Sequence, residues 1–271
     1  MWIPLIVVAV GIVMMLVELL KPGRSWPHVT GWWLRAICFN ALQAALVWIA
    51  GIAWDTWMQE HSLLSIASLG TIGSSIVGYL ILTFVYYWWH RARHESSFLW
   101  RWFHQFHHSP QRLEVITSFY KHPLEITANA LLSSLVMFLL LGLSPAGAAG
   151  ATLLSGLAEL FYHWNVNTPR WIGFLFQRPE SHCVHHERGK HHYNYGDLPL
   201  WDMLFGTFLN PYSFEQQCGF EPDAELRIKD MMLGKDVQEP LLSNKNKHLK
   251  SIRYNKKSAH LPHSSCTEAS R

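Results

Sequence analysis

HRARHESSFLWRWFHQFHH, residues His90 to His108, holds five of the chain's 17 histidines. Their spacing carries the reading. His90 and His94 are four residues apart, while His104, His107 and His108 stand at i, i+3 and i+4. On a helix such positions share one face, so each set can aim its imidazoles at a common point. The second pattern returns far downstream as His182, His185 and His186, in HCVHH. One HxxxH alone reads as a pair of solvated or locally bonded histidines. Three such sets in one chain read as metal ligands, because neutral imidazole binds iron, copper, zinc and nickel. Eight imidazoles exceed what one ion uses, so the pattern predicts two metals.

Working outward, the stretch begins where an apolar run ends. Residues 69–89 carry no charge and are long enough to cross a hydrocarbon core as a helix. Four further runs are 3–20, with the single charge Glu18, 36–54, 126–143, and 145–162, which Glu159 interrupts. The first lacks a basic leader and a small-residue cleavage site, so it reads as a membrane helix and not a signal peptide. The last two are separated by little more than Ser144, with Pro145 and Gly147 at the bend, and read as a tight hairpin. The expected fold is all-α: an integral membrane bundle of about four to five spans with a histidine-rich helical cap. A composition of 49% hydrophobic and 15% charged residues, with 14 tryptophans, agrees.

All 22 Lys and Arg residues fall on one side of this arrangement, and so do the histidine sets. The positive-inside rule makes that side cytosolic, together with the C-terminus. The expected location is the endoplasmic reticulum membrane in a eukaryote or the inner membrane in a bacterium. Trp32, Trp33, Trp54, Trp57, Trp88 and Trp89 lie at run ends, as interfacial aromatics do. The four cysteines, Cys38, Cys183, Cys218 and Cys266, form no CxxC and read as reduced thiols. With no Gly-rich phosphate loop and no basic stripe, a nucleic-acid partner is excluded. The expected domains are an N-terminal transmembrane hairpin (1–68), a catalytic unit (69–212) and a cytosolic tail (213–271). The tail reads as mostly disordered, above all after Lys235.

HRARH, HQFHH and HCVHH, in that order, resemble the three histidine boxes of the fatty acid hydroxylase/sterol desaturase superfamily. HPLE (122–125) and NYGDLPLWDMLFGTF (194–208) extend the resemblance over about residues 70–212. It implies an O2-dependent membrane oxygenase with two iron ions, a lipid substrate drawn from the bilayer, and a separate electron-transfer protein or reductase. The implied ligands are His90, His94, His104, His107, His108, His182, His185 and His186. The implied reaction is hydroxylation or desaturation of an acyl chain or sterol-like lipid. Ether-lipid cleavage of the alkylglycerol monooxygenase type is an alternative, because the third box through LFGTF is similar to that class. A metal transporter or store is the rival from another class, but Glu159 is almost the only polar group its path would find.

His163 is the expected ninth ligand. It sits one turn after Glu159 at a run's end, and His163 with Asn167 matches the family position between its second and third boxes. Asn167 stands where some relatives have another histidine. Glu159, ionisable within an apolar run, is the candidate catalytic group, as acceptor for an imidazole N–H or as a lining residue. His122, before a proline, reads equally as a ligand or a helix-start residue. His191 and His192, in ERGKHHYNYGD, read as solvated, with His192 kept beside His122 as an additional candidate ligand. Asp197 and Asp202 are candidates to orient the last box.

Overall fold

The computed structural model describes residues 3–238. Cys266 and nearly all of the segment expected to be disordered lie outside the described residues. Each apolar run becomes a helix. α1 is Ile3–Leu20, and α2 runs Trp32–Glu60 through a π-helical turn at Gly51–Asp55. α3 is Gly70–Glu95, and α4 covers 97–108. α5 is Pro123–Leu140, α6 Pro145–His163, α7 Pro179–His185 and α8 Pro199–Phe205. Among the described residues there is no strand, only an isolated bridge between Glu187 and Cys218.

The chain is an integral membrane helical bundle, but the five runs differ in kind. Three helices, α2, α3 and α5, are long and apolar enough to cross a membrane. The apolar part of α1, Leu5–Leu20, is shorter. In α6 the many alanines and glycines, and Glu159, dilute the apolar character. The turn between α5 and α6 follows the expected chemistry. Gly142 adopts φ 59°, the Ser144 side chain accepts from Gly147 N at 3.1 Å, and Pro145 opens the helix.

α6 packs chiefly against α3, around Tyr79, Leu82, Val136, Met137, Leu143, Ala148 and Ala151. Small residues let the two backbones approach. A Cβ on Gly78 would meet Leu143 at 2.8 Å, and Ser75 Oγ donates to Gly147 O at 3.1 Å. Such contacts hold helices together where lipid removes the hydrophobic driving force. α1 packs on α6 and α2 on α5, so the first 68 residues are woven into the bundle. Glu18 is buried and accepts from Asn165 N (3.0 Å) and Val115 N (3.2 Å), which ties α1 to the cap.

The cap extends further than expected, because residues 213–236 are ordered against it. Phe214 and Cys218 pack with Leu113, Cys183 and Val184. Glu225 is fully buried and pairs with Arg35 at 2.6 Å and with Gln111 Nε2 at 2.8 Å. Low average hydropathy hid these few anchors. Cys183 and Cys218 are free and buried, and Cys38 is free and exposed.

Candidate metal centre

α3 continues past its apolar portion and carries His90 and His94 on its last turns. Ser96, extended at φ −105° and ψ 117°, breaks the helix and starts α4. α4 contains a π-helical turn at Trp100–His104, followed by Gln105–His108, and so delivers the second set. Such widened turns occur often at functional sites. α6 ends on His163. Pro179 opens α7, which carries His182 and His185, with His186 at its C-terminal end.

These side chains form two groups. His90, His94, His104, His108 and His185 converge, with ligand nitrogens within 4.8 Å of one another, and so do His107, His163, His182 and His186. The expectation that each HxxHH set aims at one point is therefore corrected. Each set is split. On a helix, i and i+4 differ by about 40°, whereas i+3 lies about 60° the other way. The i, i+4 pairs stay together, and the i+3 residues, His107 and His185, cross to the opposite group. His108 and His186 stack at 4.1 Å, where the groups meet.

The residues fit a pair of metal ions, judged by their nitrogens. His90 Nδ1 donates to Tyr195 O (2.7 Å), His107 Nδ1 to Tyr120 O (3.2 Å), His163 Nδ1 to Glu159 O (2.9 Å) and His185 Nδ1 to Tyr193 O (2.7 Å). That tautomer turns the Nε2 lone pair inward. His90, His104 and His185 then have a buried Nε2 without a protein partner, and both ring nitrogens of His94, His108 and His186 are in that state. Buried polar atoms are normally satisfied, so this concentration calls for a cation. In the second group, His163 Nε2 and His182 Nε2 lie 3.1 Å apart. With the Gln177 amide donating to His182 Nδ1, His182 Nε2 carries the proton and donates to His163 Nε2, and a metal ion would take that proton's place.

Burial, reinforced by the neighbouring histidines and, for His104 and His185, by Arg93, holds His104 and His108 well below the usual imidazole range, and His185 down at about 3. Each is thus neutral and ready to ligate. The unfolded chain binds protons near pH 6.5, where the folded site does not. Stability from these groups is present above that pH and is lost as pH falls from about 6.5 towards 3. The metal-free protein in detergent should therefore melt progressively lower over that window, while the metal-loaded protein should hold its melting temperature further into acid. An apo protein whose melting is flat across the window would contradict the burial of these imidazoles.

Other residues take roles that the sequence did not assign. Glu159 pairs through its carboxylate with Lys121, and only its backbone carbonyl holds His163. The carboxylate that meets an imidazole is Glu125 of HPLE, fully buried, 3.0 Å from His104 Nδ1 and paired with Arg93. Its neighbour His122 caps α5, accepting from Leu124 N at 3.1 Å, and lies in neither group. Asp202 accepts from Tyr195 N (2.8 Å), Gly196 N (2.9 Å) and Thr207 Oγ1 (2.7 Å). It thus fixes the loop whose Tyr195 carbonyl holds His90 of the first box and whose Tyr193 carbonyl, two residues earlier, holds His185 of the last. Asp197 accepts from Tyr162 OH at 3.2 Å, and burial lifts its carboxyl to about 7. Gln177 Nε2 lies 2.6 Å from His182 Nδ1. Asn167 and His192 are exposed. His191, expected in solvent, has a buried Nε2 without a partner, and its ring lies 5.0 Å from that of His108.

A membrane bundle ending in two groups of imidazoles that could each hold a metal ion defines a class, the membrane histidine-box proteins. Residues 75–207, just under half of the chain, match the fatty acid hydroxylase family model, so the chain carries a fatty acid hydroxylase domain. Ornithine lipid hydroxylase OlsE of Rhizobium tropici is 34% identical over 144 residues, which are 50% of this chain and 42% of that one. Alkylglycerol monooxygenase of Homo sapiens is 33% identical over 135 residues, 48% of this chain and 29% of that one. Sphinganine C4-monooxygenase 2 of Arabidopsis thaliana is 31% identical over 173 residues, 60% and 63% of the two chains. The chain thus spans less than two thirds of each of these relatives. No solved structure matches it.

Proposed function

We propose that this chain is an O2-dependent lipid oxygenase that works through a pair of iron ions. The observation that carries the reading is the pair of imidazole groups, five and four histidines, buried at the ends of apolar helices. The relatives' names supply the substrate class: each of the three oxidises a lipid or a lipid building block by name. Iron supplies O2 activation, which zinc, having no redox chemistry, does not. The protein's part is to hold and to shield. His90, His94, His104, His108 and His185 hold one ion, and His107, His163, His182 and His186 the other. The carbonyls of Tyr195, Tyr120, Glu159 and Tyr193, and the Glu125 carboxylate, keep the rings oriented. Their burial keeps water out.

Hydroxylation of an acyl chain is the leading reaction, and a separate reductase or electron-transfer protein supplies the electrons. Purified protein loaded with iron should convert extracted lipids to hydroxylated products when given O2 and a reductant. The zinc-loaded protein should give none. Metal movement across vesicles with no oxidised lipid would replace this reading with a transporter.

The cap faces the cytosol in this reading, because the basic residues gather on its side. A tag after Arg271 should be reached by antibody or protease from the cytosolic side of sealed membranes, and a tag near Gln59 should not. Protection of the Arg271 tag from that side would invert the orientation.

A further inference from the structure

A cavity of about 290 Å³ lies between α3 and α6, outside both histidine groups. Its walls are Tyr79 of α3, Leu154, Leu157, Ala158 and Phe161 of α6, and Phe176. Only Gln177 and Asp197 add charged or amide groups, both from the cap side. Gln177 touches the second histidine group directly, and Asp197 reaches it through Tyr162. Gln177 is 2.6 Å from His182 Nδ1. Asp197 holds the hydroxyl of Tyr162, whose ring lies 4.4 Å from that of His182 and 4.9 Å from that of His163. The α6 wall from Leu154 to Phe161 rises about 10 Å at ~1.5 Å per residue, so the cavity is a slot that runs along the helix and ends two residues short of His163. At the rim Leu154 is 37% and Phe176 51% exposed. Next to Phe176, Trp171, Phe174 and Leu175 are exposed as well, an apolar edge beside the opening.

We propose that this slot binds a single acyl chain of the substrate and presents it to the His107, His163, His182 and His186 group. The proposal rests on the lipid-oxygenase reading and adds where the chain lies and which ion it meets. Three observations support it. The opening lies beside α3, which is long and apolar enough to cross the membrane, so lipid tails are its natural surroundings. The volume, about 290 Å³, lies just below the ~300–1,000 Å³ range of ligand pockets, which suits one flexible chain and not a fused ring system. An ion held by four imidazoles also keeps more free positions than one held by five. Gln177 and Asp197, the latter held by Tyr162, line the cap end of the slot and fix how far the chain penetrates.

The test uses full-length, metal-loaded protein in lipid vesicles that contain a long-chain acyl lipid with a diazirine near the chain end. In parallel vesicles, a diazirine sterol replaces it. After irradiation, the acyl label should map to Leu154–Phe161 of α6 and to Phe176. Ala158→Phe and Leu157→Trp, which fill the slot, should lower that labelling at least about tenfold with metal content unchanged. Ala158→Gly, which leaves the slot open, should label as the unaltered protein does. Acyl label elsewhere in the chain, labelling undiminished in both filling variants, or sterol label alone in the slot would each overturn the proposal. Slot labelling without any oxidised lipid would sink the oxygenase reading and leave the slot standing. Oxidised lipid with label elsewhere would sink only the slot.

Discussion

Replacing His107 with alanine is expected to empty the same ion position as replacing His182 or His186, although His107 belongs to a different histidine box. Likewise His185→Ala should empty the position that His104→Ala or His108→Ala empties. The reason is the crossing of the i+3 residues between the two groups. Losing a direct ligand should cost more than the about 10–100-fold in metal affinity typical of losing an outer partner, so turnover should fall to background. The protein should remain in the membrane, since the α3–α6 core contains no histidine. Cobalt substitution followed by optical spectroscopy separates the two positions, because the five- and four-imidazole sites differ in ligand number. His107→Ala and His108→Ala disturbing the same set of bands would show that the boxes do not interleave.

The second large effect concerns two carboxylates. Glu125→Gln should lower metal affinity or activity by about 10–100-fold, because it removes the charged acceptor beside His104 and leaves Arg93 buried without its anion. Glu159→Gln should do less to the metal. Its carboxylate serves Lys121, while the carbonyl that holds His163 is unchanged by the substitution. Metal content and iron-dependent turnover of the two variants, measured side by side, check the ranking. A larger loss in Glu159→Gln would restore the assignment suggested by its place one turn before His163.

The membrane bundle and the histidines that converge were legible because both rest on local pattern. Apolar runs mark the helices, and the HxxxH and HxxHH spacings mark the converging histidines. The sorting of ligands into two groups was not legible. It depends on how the helices that carry the sets pack around the two centres, so that the i+3 residue of each set faces the opposite group, a tertiary feature with no periodic signal. Glu159 drew attention as a charge in an apolar run, yet Lys121, 38 residues away, satisfies it. Glu125 reaches His104 only because α5 folds back beside α3 and α4, and no spacing announces that contact. His191 was read as solvated from its polar neighbours. The loop that carries it turns back over His108, and this hides its Nε2. Residues 213–236 were hidden for the opposite reason: a few separated anchors, Phe214, Phe220, Glu225 and Met231, hold a stretch that is polar on average.

The central claim is that two groups of imidazoles hold a redox-active metal pair that oxidises lipid. The most direct test combines metal analysis of the purified protein with an assay of O2- and reductant-dependent oxidation of co-purified lipid, for the unaltered protein and for His107→Ala and His185→Ala. About two ions per chain and an oxidised lipid are expected in the unaltered protein, with about one ion and no product in each variant. One ion or none in the unaltered protein, with lipids no different from those of the variants, would contradict it.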